Sequence, residues 1–259
     1  MSSLPPISVC LLVKNEADRL ERSIAPFIGK VPEIIAYDNG STDGSQELLK
    51  KMGVTVFEGP WMGFSRSRKA LWSLARQSWI LWLDADEIFP EETVRALDAV
   101  GLMREVGGYS VCRQVVFEGR RVRHGDWFPD WVLRVFPKDG YAMDDRQVHE
   151  SVSVTGQVSP LPGIVEHHSF RDWEDLERRS RRYAELWAHQ ALSEGARPPA
   201  AWPRAVWKFF RGYCLKSGWL DGSLGFRIAF HNAGEVYSKY KLLQEIARNK
   251  GGKPPVGPV

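Results

Sequence analysis

The chain opens with short apolar runs separated by stretches of helical spacing. Ile7–Val13 is nearly all apolar, the mark of a strand covered on both faces. Ile34–Asp38, Val54–Glu58 and Trp79–Asp84 repeat the pattern. Between them the spacing predicts helices over Ala17–Ala25, Ser45–Met52 and Ser67–Ala75, with Gly53 placed for a left-handed cap after the second. Pro90 followed by Glu91 and Glu92 reads as a helix start, with proline at the first position and acids set against the dipole. Strand–helix–strand repetition implies a parallel sheet with right-handed crossovers.

Beyond residue 108 the texture changes. Tyr109–Val116, Val132–Phe136, Val152–Val158 and Ile164–His168 read as strands without helices between them, a mixed or antiparallel extension of the sheet. Asp172 then opens a helix to about Glu194, which Arg197-Pro198-Pro199 breaks. Aromatic-rich helical segments follow over Trp202–Lys216 and Gly225–Ile246, and Gly251–Val259 is Gly/Pro-rich and expected to be disordered. The organisation predicted is a catalytic α/β domain over 1–171, with halves 1–107 and 108–171, a helical extension over 172–248 and a tail over 249–259.

Composition narrows the classes. Hydrophobic residues are 43% and charged residues 26% of 259, ordinary for a folded domain. No run of eighteen apolar residues occurs, so no transmembrane helix is expected. The N-terminus lacks the layout of a signal peptide, which points to the cytoplasm. Cys10, Cys112 and Cys214 are too scattered for a disulfide framework or zinc site and read as buried thiols in a reducing compartment. The net charge of +3 hides an asymmetry: residues 1–196 carry 24 Lys/Arg and 29 Asp/Glu, whereas residues 197–259 carry 11 and 3. A basic, aromatic C-terminal region suggests an anionic partner. An acidic body without a recognised nucleic-acid module argues against nucleic acid. The other reading is that the C-terminal helices pack on the catalytic domain or make an oligomer.

Ligands of open α/β sheets bind at the carboxyl ends of the strands. Val13 is followed by Lys14-Asn15-Glu16, Tyr37 by Asp38-Asn39-Gly40-Ser41-Thr42-Asp43, and Leu83 by Asp84-Ala85-Asp86-Glu87. Carboxylates gathered at neighbouring strand ends repel one another unless a cation is shared, and a hard divalent ion, Mg2+ or Mn2+, is the simplest. Alternation along a strand would point Asp84 and Asp86 the same way. Each motif alone has a plainer reading, as a solvated turn or a helix cap.

Together these residues resemble the family-2 inverting glycosyltransferases of the GT-A fold, with order and spacing matching over residues 7–90. Arg123-His124-Gly125-Asp126-Trp127-Phe128-Pro129-Asp130, Leu133-Arg134-Val135-Phe136, Val148-His149-Glu150 and His167-His168-Ser169-Phe170-Arg171-Asp172 are similar to the lipopolysaccharide core β-glucosyltransferase branch. The resemblance implies a Rossmann-like nucleotide-sugar-binding mixed sheet flanked by helices, with a C-terminal helical appendage. It implies that Val13, Lys14, Asn15 and Glu16 line the nucleobase pocket, with Asp38, Ser41 and Asp43 at the uracil or ribose end. Arg68, Ala85 and Arg134 would lie beside the nucleotide or diphosphate. Asp84 would meet ribose and metal, and Asp86 would ligate the metal together with His167 or His168; the resemblance favours His167. Lys69 departs from the asparagine common in the family.

The resemblance further places Glu150 as catalytic base, with Asp130 second. His124 and His149 read more readily as structural. The expected reaction is transfer of a hexose, glucose from UDP-glucose foremost, to a lipopolysaccharide inner-core sugar on a lipid-linked acceptor. The expected place is the inner face of the cytoplasmic membrane, with residues 197–245 on an anionic surface and Lys208, Arg211 and Lys216 among the contacts. Alternatives are a capsule, exopolysaccharide or protein acceptor, or an inactive sugar-binding scaffold.

Overall fold

The structure, a computed structural model, describes residues 5–100, 106–143, 152–194 and 200–249. The chain divides into two compact units: Met1–Gln114 with Asp130–His168, and Val115–Pro129 with Ser169–Val259.

The first unit carries strands β1 (Ile7–Val13), β2 (Glu33–Asp38), β3 (Thr55–Glu58) and β4 (Trp79–Leu83), connected by helices α1 (Ala17–Ile24), α2 (Ser45–Lys51) and α3 (Phe64–Leu74). The sheet then adds β5 (Glu87–Ile88), β6 (Val106–Phe117), β8 (Asp130–Pro137) and β11 (Gln157–His167). Short β7 (Arg120–Arg121) pairs with the end of β6, and β9 (Tyr141–Met143) with β10 (Val152–Val154) forms a separate ribbon. The strand order is β3-β2-β1-β4-β8-β6-β11-β5, parallel from β3 to β4 and antiparallel at β4–β8, β8–β6 and β11–β5. The mixed extension is therefore as the patterning foretold. The connections from β1 run to β2 on one side and later cross to β4 on the other. Open α/β sheets bind ligands at such a reversal, here at the carboxyl ends of β1 and β4.

The apolar runs are continuous because both sheet faces are covered. Val9 and Leu11 of β1 and Leu81 and Leu83 of β4 pack with Leu20, Ile24 and Leu49 on one side. Cys10 and Ile80 pack with Leu71 and Trp72 of α3 on the other. Both clusters alternate along the strands with period two.

Several boundaries differ from the sequence reading. Val152–Val158 is not one strand: Thr155 and Gly156 intervene, Gly156 at φ 100°, and β10 and β11 join different sheets. Ile164 to His167 is the end of the long β11, and His168 lies just beyond it. Helix α3 begins at Phe64, three residues early, behind Gly63 at φ 87°. Pro90 caps α4 (Glu91–Ala96) from an extended conformation and is not its first helical residue.

In the second unit, α5 (Trp173–Ser193) starts at Asp172, whose side chain accepts the Asp175 N–H at 2.7 Å. Helix α6 (Ala201–Phe210) stops at a π-turn over Arg211–Leu215, short of Lys216, and α7 runs over Gly222–Asn249. Small residues Ala188 and Ala191 of α5 pack against Leu243 of α7. The predicted break at Arg197-Pro198-Pro199 and the tail after Asn249 lie outside the described residues. Among the described residues no helix is long and apolar enough to cross a membrane.

Candidate active site

The loops after β1 and β2 are stitched to each other. Asn15 sits at φ 57°, a conformation asparagine tolerates. Its N–H donates to Ser41 Oγ at 2.9 Å, and its side-chain oxygen accepts the Thr42 N–H at 2.8 Å. Ser45 Oγ accepts the Glu16 N–H at 3.0 Å, and Asp43 Oδ2 accepts the Ala17 N–H at 3.0 Å. Asn15, Ser41 and Asp43 thus engage polar atoms in holding the loops. Val13 and Ala85 point their side chains into the core, and Lys14 is exposed.

Asp38 is different. It is fully buried, and its Oδ1 accepts the N–H groups of Gly40 and Ser41 and the Gln46 amide, each at 2.9 Å. Burial pushes the carboxyl up, but these hydrogen bonds outweigh it and hold Asp38 below the usual carboxylate range. Its Oδ2 is buried with no hydrogen-bond partner among the described residues. A ligand N–H or O–H can complete such an atom.

After β4 the chain turns. Strand β4 ends at Leu83, and the Glu87 N–H donates to the Asp84 carbonyl at 3.0 Å. The alternation expected to aim Asp84 and Asp86 together therefore does not apply, and the two carboxylates meet different partners. Asp84 Oδ1 accepts Trp82 Nε1–H at 2.8 Å and Arg68 Nη2 at 3.3 Å, and Oδ2 accepts Arg134 Nη2 at 2.7 Å. Both guanidiniums also lie over the Trp82 ring, Arg68 at 4.1 Å and Arg134 at 4.4 Å from the centroid. Burial raises the Asp84 carboxyl, yet Arg134 and Arg68 hold it well below the usual range.

Arg134, 3% exposed, also pairs with fully buried Glu87. Burial opposes its charge, but Glu87 and Asp84 more than compensate and keep the guanidinium firmly protonated. Arg113 of β6 joins Glu87 at 3.0 Å to Asp130 at 2.6 Å. Arginines thus neutralise much of this acidic cluster directly. Arg113, Trp82 and Arg19 were missed as functional candidates. Their side chains are ordinary within a strand or helix pattern, and only pairing across the sheet reveals them.

Asp86 is the least compensated carboxylate. Its Oδ1 lies 3.5 Å from His167 Nε2, and its Oδ2 3.8 Å from Arg19. Burial raises its carboxyl and the charge of Asp84 adds to that, but the His167 contact and Arg19 outweigh both and lower it. Antiparallel pairing of β11 with β5 sets His167 opposite Glu87, and the His168 N–H donates to the Asp86 carbonyl at 2.8 Å. His168 instead directs Nε2 toward Glu166 at 3.5 Å. Of the adjacent histidines, His167 is the one beside Asp86. Asp86 and His167 form a pair of donors suited to a divalent ion, whereas both oxygens of Asp84 are taken. Among the described residues no group of three His, Cys, Asp or Glu gathers as a metal site. Asp130 accepts from Arg113 Nε at 2.9 Å and Nη2 at 2.6 Å, both on Oδ2. Glu150, with Val148 and His149, lies outside the described residues.

In the second unit, Asp221 accepts the Arg123 and His124 N–H groups and meets His124 Nδ1, each at 2.9 Å, so His124 holds a loop. Asp126 gathers Lys208 at 2.9 Å, Arg211 at 2.8 Å and Lys216 at 3.0 Å. The three cations expected among the contacts of an anionic surface share one carboxylate and stay partly exposed.

An open α/β sheet that collects a partnerless buried carboxylate oxygen, arginines and an Asp–His pair at its strand ends is a nucleotide-binding type of enzyme fold. The chain belongs to glycosyl transferase family 2, whose family model matches residues 8–155, and its sheet has the GT-A architecture of that family. It is similar to the uncharacterized glycosyltransferase RP128 of Rickettsia prowazekii, 22% identical over 85% of this chain and 80% of that protein. It is also similar to the lipopolysaccharide core biosynthesis glycosyltransferase LpsC of Rhizobium meliloti, 23% identical over 92% and 94%. Among solved structures, glucosyl-3-phosphoglycerate synthase from Mycobacterium tuberculosis with Mn2+, UDP and phosphoglyceric acid matches with a TM-score of 0.46 at 18% identity, over 75% of this chain and 80% of that one. The same synthase with Mn2+, UDP-glucose and phosphoglyceric acid matches with a TM-score of 0.35 at 24% identity, and the chain spans 43% of its length. The protein is a glycosyltransferase.

Proposed function

We propose that the protein transfers a hexose, glucose from UDP-glucose foremost, with inversion, to a sugar hydroxyl of a lipid-linked lipopolysaccharide inner core. The work would be done at the inner face of the cytoplasmic membrane. The acceptor reading draws on the similarity to LpsC along nearly the whole of both chains. The observation that carries donor binding is the buried, partnerless Oδ2 of Asp38 at the carboxyl end of β2. A carboxylate oxygen there accepts the imide N–H of a uracil or a ribose hydroxyl, and the hydrogen bonds on Oδ1 keep it ionised.

Asp86 and His167 are the residues that would hold a divalent ion, Mg2+ or Mn2+. When bound, such an ion supplies positive charge against the leaving diphosphate. Arg68 and Arg134 hold Asp84 beside that position, and their positive charge would stabilise the negative charge that develops as the glycosidic bond breaks. The acceptor hydroxyl is a weak nucleophile until a carboxylate removes its proton. Glu150 is the proposed base. Asp130, tied to Arg113, comes second. One base and direct displacement give inversion.

The test is a screen of nucleotide sugars with Mn2+ or Mg2+ for thermal stabilisation and slow donor hydrolysis. UDP-glucose is expected to give the largest shift, and silence toward every UDP-sugar would overturn the donor assignment. Glu150→Gln should abolish transfer and leave donor stabilisation intact; transfer near the wild-type rate would remove Glu150 from its role. Extension of a delipidated inner-core oligosaccharide, read by mass spectrometry, tests the acceptor.

A further inference from the structure

Helix α6 is mounted inside out. Surface helices of globular proteins turn apolar residues inward and charges outward. In α6, Trp202, Val206 and Phe210 recur at four-residue spacing with Trp207 beside them, and they are 67%, 61%, 45% and 57% exposed. Its inward side carries Ala201, Ala205, Lys208 and Phe209, buried or half-buried, while Arg204 stays exposed. Lys208 and Arg211 reach Asp126, and the Arg204 guanidinium lies 5.0 Å from the centre of the Tyr240 ring. The apolar surface continues through the next turns, where Leu215, Trp219 and Leu220 are each more than half exposed.

Charge decides what covers this face. Residues 200–220 contain four cations, Arg204, Lys208, Arg211 and Lys216, and no acid. Asp126, 5% exposed, neutralises one of the three cations around it, leaving a surplus of two positive charges. Lys208, Arg211 and Lys216 stay 28%, 42% and 46% exposed. A second copy of the same face would bring two such surpluses together, because a two-fold contact sets each patch against itself. A phospholipid bilayer meets both demands: acyl chains take the apolar ridge, phosphates take the surplus charge, and tryptophan suits the boundary between them.

We propose that α6 and the turns through Leu220 form a monotopic membrane-insertion face, a wedge of apolar side chains entering the headgroup–acyl boundary with the Asp126-bound cations at phosphate level. This deepens the lipid-linked acceptor reading and names how the protein reaches that surface. Apolar insertion leads, with the cations held at the rim, so binding survives salt that would strip a purely electrostatic contact.

The test is co-sedimentation of the full chain with phosphatidylcholine vesicles, with and without phosphatidylglycerol. Wild type should bind both, several-fold better with phosphatidylglycerol, and a tenfold rise in salt should leave most binding to the neutral vesicles. Trp202→Ser with Trp207→Ser should weaken binding at least tenfold with an unchanged melting temperature. As a measurement free of substitutions, an environment-sensitive fluorophore on exposed Cys214 should shift its emission on vesicle addition; Cys10 and Cys112 are buried. Wild type left in the supernatant at low salt would overturn the proposal, as would unchanged binding by the double variant or an unmoved Cys214 probe. A double variant that lost self-association and kept vesicle binding would overturn it too, giving the face to a second copy. Transfer to a lipid-free acceptor separates the two readings: the double variant keeps it, and its absence even in wild type would count against the proposed reaction and leave the vesicle result standing.

Discussion

Two ion clusters, one in each unit, are built in opposite senses. At the end of β4, Arg134 is held between Asp84 and Glu87, and Arg68 and Arg113 extend the network until carboxylates and arginines nearly balance. In the helical unit, Asp126 is held among Lys208, Arg211 and Lys216, and the balance is left positive. The centre of the first cluster is sealed: Arg134 and Glu87 show 3% and none of their side-chain surface, while Asp84 and Asp130 at its edge keep 26% and 39%. The second has a buried centre and half-exposed arms. A sealed, balanced cluster fixes geometry, as a site needs before an anionic donor arrives. An open, unbalanced one keeps charge available at the surface.

Removing the centre of the sealed cluster should have the largest effect. Arg134→Met leaves Asp84 and Glu87 without their shared cation, and breaking a buried pair in this way costs about 3–5 kcal/mol. Urea unfolding reads it, and a loss below about 1 kcal/mol would mean that the cluster is not sealed. Asp86→Asn sharpens the contrast between the two acids of the turn. Transfer should fall about 10²–10³-fold, the cost of losing one stabiliser of developing charge, with little change in the urea midpoint. Donor hydrolysis at the wild-type rate would remove Asp86 from the site.

Asp126→Asn tests the open cluster. Three cations then lose their common partner, but solvent screens the arms, so the expected loss is about 1–2 kcal/mol, shrinking as salt rises. A salt-independent loss equal to that of Arg134→Met would erase the distinction. Acid titration sorts the carboxylates further. Asp84, Asp38 and Asp126 are all held below the usual carboxylate range, so each contributes stability above its unfolded pKa of about 4. That stability drains as pH falls through the lower folded values. The urea midpoint should be level above about pH 5 and decline below 4, with a shallower decline in Asp38→Asn. The smallest effect belongs to the inside-out helix, where Trp202→Ser should change stability by less than about 0.5 kcal/mol, since little of that side chain is buried on folding.

The parallel half was readable because its signals are local. Apolar runs covered on both faces, the left-handed Gly53 and the Asp172 cap depend on neighbours a few residues away. The resemblance carried by Lys14-Asn15-Glu16, Asp38 and Asp84-Ala85-Asp86 at three strand ends found the family. Boundaries were lost where a glycine does the work: Gly156 divides what reads as one strand, and Gly63 lets α3 begin early.

What the amino-acid order alone determined is therefore the succession of elements, the loops that carry polar groups and the family to which they belong. What only the tertiary structure decided is which charges meet. Arg134 reaches Asp84 across 50 positions, Arg113 reaches Glu87 across 26, and Asp126 collects cations from 82 to 90 positions away. No local period encodes such distances. Strand order and helix mounting set them, which is why acids that suggested a shared metal ion are largely answered by arginine, and why a basic aromatic segment presents its aromatic side.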